Sequence, residues 1–290
     1  MSDRQLLVTH HAPDLDAVGA VWVFKRFHAQ VFADAKIAFV NPGATIELEE
    51  AEKFGCQLHQ VTHVDTGLGE FDHHMESRAQ DTICATSLVY DYVSTLHPEL
   101  KEDAALKLLV AHVTEIDHFK EIFWPEPDAP KHIFSLHMLL RGNEYTDPHN
   151  DDSQMHFGLQ CLDNAYAMLT QRTKAQEVIE EKGRAFPLRS GMGMALLTRN
   201  DESVKLAQMQ GYQLVIRKDP KLGDLRIKVR PDSEIVLELL YAKILERDRV
   251  GSWFYHPNGK MLINGSRKDI NSRPSPLSLE EVIDLVKALY

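Results

Sequence analysis

The sequence predicts an α/β protein in two parts. An N-terminal doubly wound, mostly parallel sheet, with a helical linker, spans residues 1–186. A smaller C-terminal α+β part, 187–290, faces it across a cleft. Three observations lead there. Up to residue 118, short strand-like runs alternate with segments of helical apolar periodicity, the pattern of parallel strands joined by crossover helices. Asp and His cluster at the ends of two of those runs. Beyond Gly183 and Pro187 the chain changes to short runs separated by turn residues.

The elements follow in order. Leu6–His10 reads as a strand and 16–29 as a helix, with Asp14 and Asp16 near its positive end. A second strand covers 36–40 and is closed by Asn41-Pro42-Gly43; 47–54 looks helical. The third strand is 61–65. Apolar periodicity marks helices over 86–95 and 103–116. Pro125, Pro127, Pro130 and Pro148 break the next stretch into turns around one helix at 132–140. A long helix over 153–182 ends at Gly183, with Pro187 as a breaker.

In the second part, strands are expected over 194–198, 212–217, 225–229, 252–256 and 260–264, with a turn at Pro257-Asn258-Gly259 between the last two. Helices are expected over 233–248 and 278–289, the latter capped by Ser278 with Glu280 and Glu281 in its first turn.

With 290 residues, 43% of them hydrophobic and 26% charged, the chain has the makeup of a globular protein with a sizeable core. No apolar run approaches the roughly 18 residues of a membrane span, and the first residues lack a signal peptide's pattern. Cys56, Cys84 and Cys161 are too few and scattered for a disulfide framework, so a cytoplasmic location is expected. The net charge of −11 argues against a general nucleic-acid binder. The charge is uneven: from Ser190 onward, 16 Lys and Arg face 13 Asp and Glu, whereas the preceding residues hold 16 against 30. An acidic half suits cations and a mildly basic half suits phosphates.

The chemistry concentrates in His10-His11-Ala12-Pro13-Asp14-Leu15-Asp16 and Phe71-Asp72-His73-His74. Side chains just past the carboxyl ends of parallel strands converge on one crevice. Carboxylates and imidazoles there are ligands for divalent cations, and two such ions can clamp both oxygens of an in-line phosphoryl displacement. Each residue alone has a simpler explanation. Asp14 could be only a helix cap, and His10 or His73 a hydrogen-bonded structural histidine. Together they share no structural reason to recur at two strand ends.

Read in order, the clusters form His10-x-x-x-Asp14-x-Asp16, Asp65 in Val64-Asp65-Thr66-Gly67, Asp72-His73-His74, and Asp117 in Glu115-Ile116-Asp117-His118. This resembles the DHH phosphoesterase superfamily, which includes RecJ-type exonucleases, nano-RNA phosphodiesterases and family II pyrophosphatases. The resemblance implies a dinuclear centre of two manganese ions, with magnesium as the alternative. His10, Asp14 and Asp65 would hold one ion; Asp16, Asp65, His73 and Asp117 the other, with Asp65 bridging. His74 is then free to bind a phosphoryl oxygen or assist protonation. Asp117 has the thinnest motif context and could simply terminate a helix.

The other histidines are read as structural. His11 would point away from the proposed ligands if the strand continues, His112 and His118 are surface or core groups unless one supports a ligand, and His132 and His137 pack. The 147–152 segment reads as a solvated turn.

Substrate recognition is expected from the second part. Asn264 and Gly265 could offer backbone N–H groups to a phosphate, and Arg267 and Lys268 would add charge. Ser266-Arg267-Lys268 also looks like a substrate-binding element of family II pyrophosphatases. His256 is a further candidate contact. Trp253, Phe254 and Tyr255 could stack on a base, with an apolar strand as the plain alternative; Arg217, Lys218, Arg226, Lys228 and Arg230 could form a basic face. The expectation is a phosphodiesterase or exonuclease on dinucleotides or short oligonucleotides, acting alone or as a homodimer. The alternatives are a pyrophosphatase or polyphosphatase and a non-catalytic nucleotide-binding regulator. A diesterase needs room for a base; a pyrophosphatase needs a small, strongly basic pocket.

Overall fold

A computed structural model describes residues 5–78, 80–265 and 271–290. The chain divides into two compact units, Met1–Leu169 and Thr170–Tyr290.

In the first unit, strands β1 (Leu6–His10), β2 (Lys36–Val40) and β3 (Val61–His63) form a parallel sheet in the order β2-β1-β3. Strand β1 is central, and its side chains alternate between two buried faces. Leu7 joins one apolar cluster with helices α1 (Leu15–Phe27), α4 (Ala85–Leu96) and α5 (Ala104–Asp117). Leu6 and Val8 join Ala38, Val40 and Ala51 on the other face, Ala51 coming from α3 (Leu48–Lys53). Burial on both faces explains why β1 reads as a continuous apolar run. The short helix α2 (Ala29–Phe32) continues after α1, which therefore stops earlier than the sequence suggests.

The helices start where the sequence offers a cap. Asp14 Oδ1 accepts the backbone N–H of Asp16 and Ala17, each at 3.0 Å, and starts α1. Asp103 accepts from Leu106 at 2.9 Å and starts α5. The proline-rich stretch holds helical turns at Lys120–Phe123 and Pro130–Phe134, followed by helix α6 (Leu136–Thr146). The expected helix at 132–140 thus lies further along, because Pro130 fixes only the first, tighter turn. Helix α7 (Asp151–Lys182) begins in this unit, and Gly158 lets it approach α1 closely: a Cβ there would sit 2.7 Å from Val18 Cγ1.

The two units divide inside α7, earlier than the expected boundary at Phe186 and Pro187. The reason is packing. Ala175 and Ile179 on the last turns of α7 share a cluster with Met194, Leu196, Val204 and Val215 of the second unit.

The second unit is a mixed sheet of β4 (Arg184–Leu188), β5 (Gly191–Leu197), β6 (Leu214–Lys218), β7 (Leu225–Val229), β8 (Trp253–Tyr255) and β9 (Met261–Asn264), ordered β4-β5-β6-β7-β9-β8. Only β5 and β6 pair in parallel. Strand β4 and helix α8 (Glu202–Met209) are absent from the sequence expectation. Pro187, read as a breaker, lies in β4 at the edge of the sheet, where a missing N–H is tolerated. Leu214 and Ile216 pack towards α9 (Glu238–Arg247) and α10 (Leu279–Leu289), while Val215 faces α8. The expected helix at 233–248 starts only at Glu238, because Lys260 Nζ binds the carbonyls of Ser233 and Ile235 and holds that stretch extended. Ser278 and Glu281 cap α10 reciprocally.

Candidate metal centre

The carboxyl ends of β1 and β3 bring the first motifs together. His10 ends β1, and its Nδ1 lies 2.8 Å from the His11 carbonyl, which leaves Nε2 free to face Asp65 Oδ2 at 3.2 Å and Asp14 Oδ1 at 3.9 Å. A backbone carbonyl on the far nitrogen is the usual means of orienting a ligating imidazole. Asp65 follows β3 with a positive φ of 54° and is only 3% exposed. Its two oxygens face opposite ways. Oδ2 meets His10, and Oδ1 lies 3.5 Å from His73 Nε2.

His73 Nε2 is also 3.7 Å from Asp16 Oδ2 and 3.6 Å from Asp117 Oδ2. None of these is a hydrogen bond, and Asp65 Oδ1, His73 Nε2 and Asp117 Oδ2 are all buried without a hydrogen-bond partner. Such buried, unpartnered polar atoms are costly in a folded protein. Donor atoms at roughly 2.0–2.2 Å from one cation would stand about 3–4 Å from each other, so the spacing suits a shared ion. Three donor groups among the described residues could hold one: His10 with Asp14 and Asp65, Asp65 with His73 and His74, and His73 with Asp117 and His118. The oxygen-rich set, without cysteine, fits manganese or magnesium.

The electrostatics agree. Burial, reinforced by Asp65 and Asp14, raises the Asp16 carboxyl to about 7. Burial and the nearby Asp16 raise Asp117 to about 8. The Asp65 carboxylate raises His73 to about 9. For His10, burial opposes the charge, but Asp65 and Asp14 outweigh it and raise the imidazole to about 9. Carboxylates crowded this closely favour a bound cation, although, against burial, the two imidazoles hold Asp65 below its usual value.

Two residues do more than the motif suggests. Asp16 is buried, and its carboxylate accepts the N–H groups of Ala85 and Thr86, at 2.6 and 2.7 Å, at the start of α4. Asp72, placed in the motif without a role, is fully buried and orients His74. Its Oδ1 lies 2.9 Å from His74 Nδ1 and accepts the His74 N–H, while Oδ2 accepts from Leu68. The His74 ring packs on His73, with centroids 4.2 Å apart, and lines a cavity.

That cavity, about 860 Å³, is lined by Asp14, Asp16, His73, His74 and Asp117 and runs on to Phe119, Glu121, His137 and Arg141. His137, read as a packing residue, therefore lines it; only its position after the proline-rich turns could have signalled this. His112 stacks on Trp124, and His118 bonds the Thr114 and Gln80 carbonyls while lying 3.3 Å from Asp117. His11 lies 2.6 Å from Asp151, away from the cluster.

The substrate groups expected in the second unit fare differently. Ser266, Arg267 and Lys268 lie outside the described residues. The Asn264 side chain is fully buried and spent on the fold, donating to Ser252 and Arg273 carbonyls and accepting from Ser275. Gly265 has φ 84°, and a Cβ there would collide with Asp224. His256 accepts the Asn258 N–H within its turn. Trp253 bonds Asp248 and Tyr255 stacks on Tyr241, so both serve the core, while Phe254 is exposed. The basic face is largely neutralised: Arg217 is 5% exposed and pairs with Asp201, as does Arg226; Lys218 binds carbonyls; and Arg230 pairs with Asp232.

No family model and no curated protein matches the sequence. Among solved structures the chain is similar to a DHH domain described as a member of a family of ribosomal proteins, at 13% identity and TM-score 0.32, covering 98% of this chain and 85% of that one. It is also similar to exonuclease RecJ bound to manganese, at 11% and 0.31, covering 98% and 89%. A third likeness is to RecJ in complex with Mn2+ from Thermus thermophilus, at 10% and 0.32, covering 98% and 52%. No described helix is long and apolar enough to cross a membrane. The chain is similar to DHH-domain and RecJ proteins.

Proposed function

We propose that this protein is a metal-dependent phosphoesterase that uses two divalent ions, manganese or magnesium, to hydrolyse phosphodiesters of dinucleotides or short oligonucleotides. The observation that carries it is the meeting of Asp65 Oδ1, His73 Nε2 and Asp117 Oδ2, buried and without hydrogen-bond partners. His10, Asp14 and Asp65 would hold one ion, and Asp16, Asp65, His73 and Asp117 the other. The opposed directions of the Asp65 oxygens support its bridging role. Bound ions would polarise a phosphoryl oxygen and acidify a water for in-line attack.

The chain supplies the rest. Asp72 at Nδ1 favours the His74 tautomer protonated there and turns Nε2 towards the cavity, where it can bind a phosphoryl oxygen or, when protonated, donate to the leaving oxygen. The size of the cavity favours a nucleotide over pyrophosphate. Among the described residues its lining holds one Arg and no Lys, the reverse of a small, strongly basic pocket.

The test is product release with Mn²⁺ from a linear dinucleotide, a short RNA and pyrophosphate, with Asp65→Asn as control. Turnover of the dinucleotide or RNA, lost in Asp65→Asn, is expected. Turnover of pyrophosphate alone, or full activity in Asp65→Asn, overturns the proposal.

A further inference from the structure

Beyond the metal cluster the cavity runs along a wall that the proposed hydrolysis does not use. Phe119 comes first. It follows His118, the C-cap of α5, and has a φ of 57°, the left-handed position where helices often end on glycine. A bulky side chain is strained there, so backbone geometry does not account for it. Nor does the core: the ring is 72% exposed, makes no ring-stacking contact among the described residues, and lines the cavity. A bulky residue held in strain with its flat face open to a site is more readily explained by what it binds.

Glu121 and His137 lie on the same wall. Glu121 Oε2 and His137 Nδ1 are both buried without a hydrogen-bond partner. They belong to none of the metal-holding donor groups found among the described residues. A phosphate would be repelled by the Glu121 carboxylate; hydroxyl or amino groups would suit it. Arg141, in the second turn of α6, also lines the wall and makes no ion pair among the described residues. A free guanidinium matches a phosphate in two-pronged fashion.

The wall therefore offers a flat aromatic face, a carboxylate oxygen and one imidazole nitrogen without hydrogen-bond partners, and a guanidinium for an anion, all beside the proposed metal centre. A nucleoside phosphate combines those features. We propose that Phe119, Glu121, His137 and Arg141 form a subsite for one nucleoside unit of the substrate. Phe119 stacks on the base, Glu121 and His137 bond the nucleoside's polar groups, and Arg141 takes a phosphate. This rests on the phosphoesterase reading of the same cavity and names the residues that would hold one nucleoside of that substrate.

The experiment is calorimetric binding of AMP and of ribose 5-phosphate, each with Mn²⁺, to the full chain and to Phe119→Gly. Glycine relieves the positive φ, so the variant keeps its fold. The native chain should bind AMP about tenfold more tightly than ribose 5-phosphate, as expected for one stacked base. In Phe119→Gly the two affinities should fall within about twofold of each other. Equal affinities in the native chain, no saturable AMP binding, or an AMP preference that survives Phe119→Gly each overturn the subsite. Dinucleotide turnover on the same samples separates the two claims. Turnover without AMP preference sinks the subsite alone, and AMP preference without turnover sinks the enzyme alone.

Discussion

Asp16 and Thr86 exchange two hydrogen bonds: Thr86 N–H donates to Asp16 Oδ1 at 2.7 Å, and Thr86 Oγ1 donates to the Asp16 carbonyl at 2.9 Å. A residue of the proposed metal centre thereby also ties α1 to the start of α4. Gly19, one turn further along α1, must remain small because a Cβ there would meet Thr86 Oγ1 at 2.3 Å.

Asp16→Ala should therefore damage the fold as well as the site. It removes a buried acceptor from two backbone N–H groups, a loss of about 2–4 kcal/mol. Asp117→Asn, whose facing oxygen has no hydrogen-bond partner, should cost far less stability. Urea unfolding of both variants checks this; equal losses would remove Asp16 from its structural role.

Metal should stabilise the protein. Asp16, Asp65 and Asp117 crowd one buried space, and a cation that binds the folded chain shifts unfolding by mass action, about 2.7 kcal/mol at a hundred times its dissociation constant. Thermal unfolding with Mn²⁺ should move to higher temperature, return with a chelator, and respond much less in Asp65→Asn. An unchanged transition in the native chain would argue against the centre.

The second unit should lose stability in acid through Asp248. Burial alone would raise this carboxyl, but bonds from Ser275, Gly251, Trp253 and Val250 hold it below its usual value. A lowered native pKa gives stability that is complete above the unfolded value of about 3.9 and is lost as pH falls through the native one. Asp248→Asn should flatten the acid limb below about pH 4 while lowering stability at pH 7. A native-like acid limb in the variant would show that other groups govern it.

How much of this was legible in the sequence depends on how local each signal is. Strand β1, the caps at Asp14 and Ser278, and the motif order are short-range patterns, and the structure places them where the residues suggest. What escaped depends on distant neighbours. Pro187 reads as a breaker until an edge partner is known, and α8 carries only a short, weak apolar period. Nothing local shows that the Asn264 side chain bonds Ser252, Arg273 and Ser275. His137 looks like packing until α6 sets it on the cavity wall. In the first unit the proposed metal ligands are close to strand and helix ends, where a local pattern can suggest them; the proposed substrate contacts are assembled by tertiary contact.

The loop between His10 and Asp14 offers a last test. Ala12 has a φ of 50°, strained for alanine, and its N–H donates to Asp151 Oδ1 at 2.7 Å, while Asp151 Oδ2 lies 2.6 Å from His11 Nδ1. Asp151, at the start of α7, thus clamps the loop that sets the His10 to Asp14 spacing, although it lies far away in sequence and outside every motif. Asp151→Ala should leave the global fold intact, since this side chain is near the surface, yet loosen the spacing of two proposed ligands. Lost support around metal ligands typically costs 10–100-fold in metal affinity. Mn²⁺ titration should show a drop of that order in Asp151→Ala, and Ala12→Gly, which relieves the strained φ with the clamp retained, should keep near-native affinity. If Asp151→Ala binds Mn²⁺ as tightly as the native chain, the His10 to Asp14 geometry is fixed by β1 and α1 alone, and the contact with α7 serves packing only.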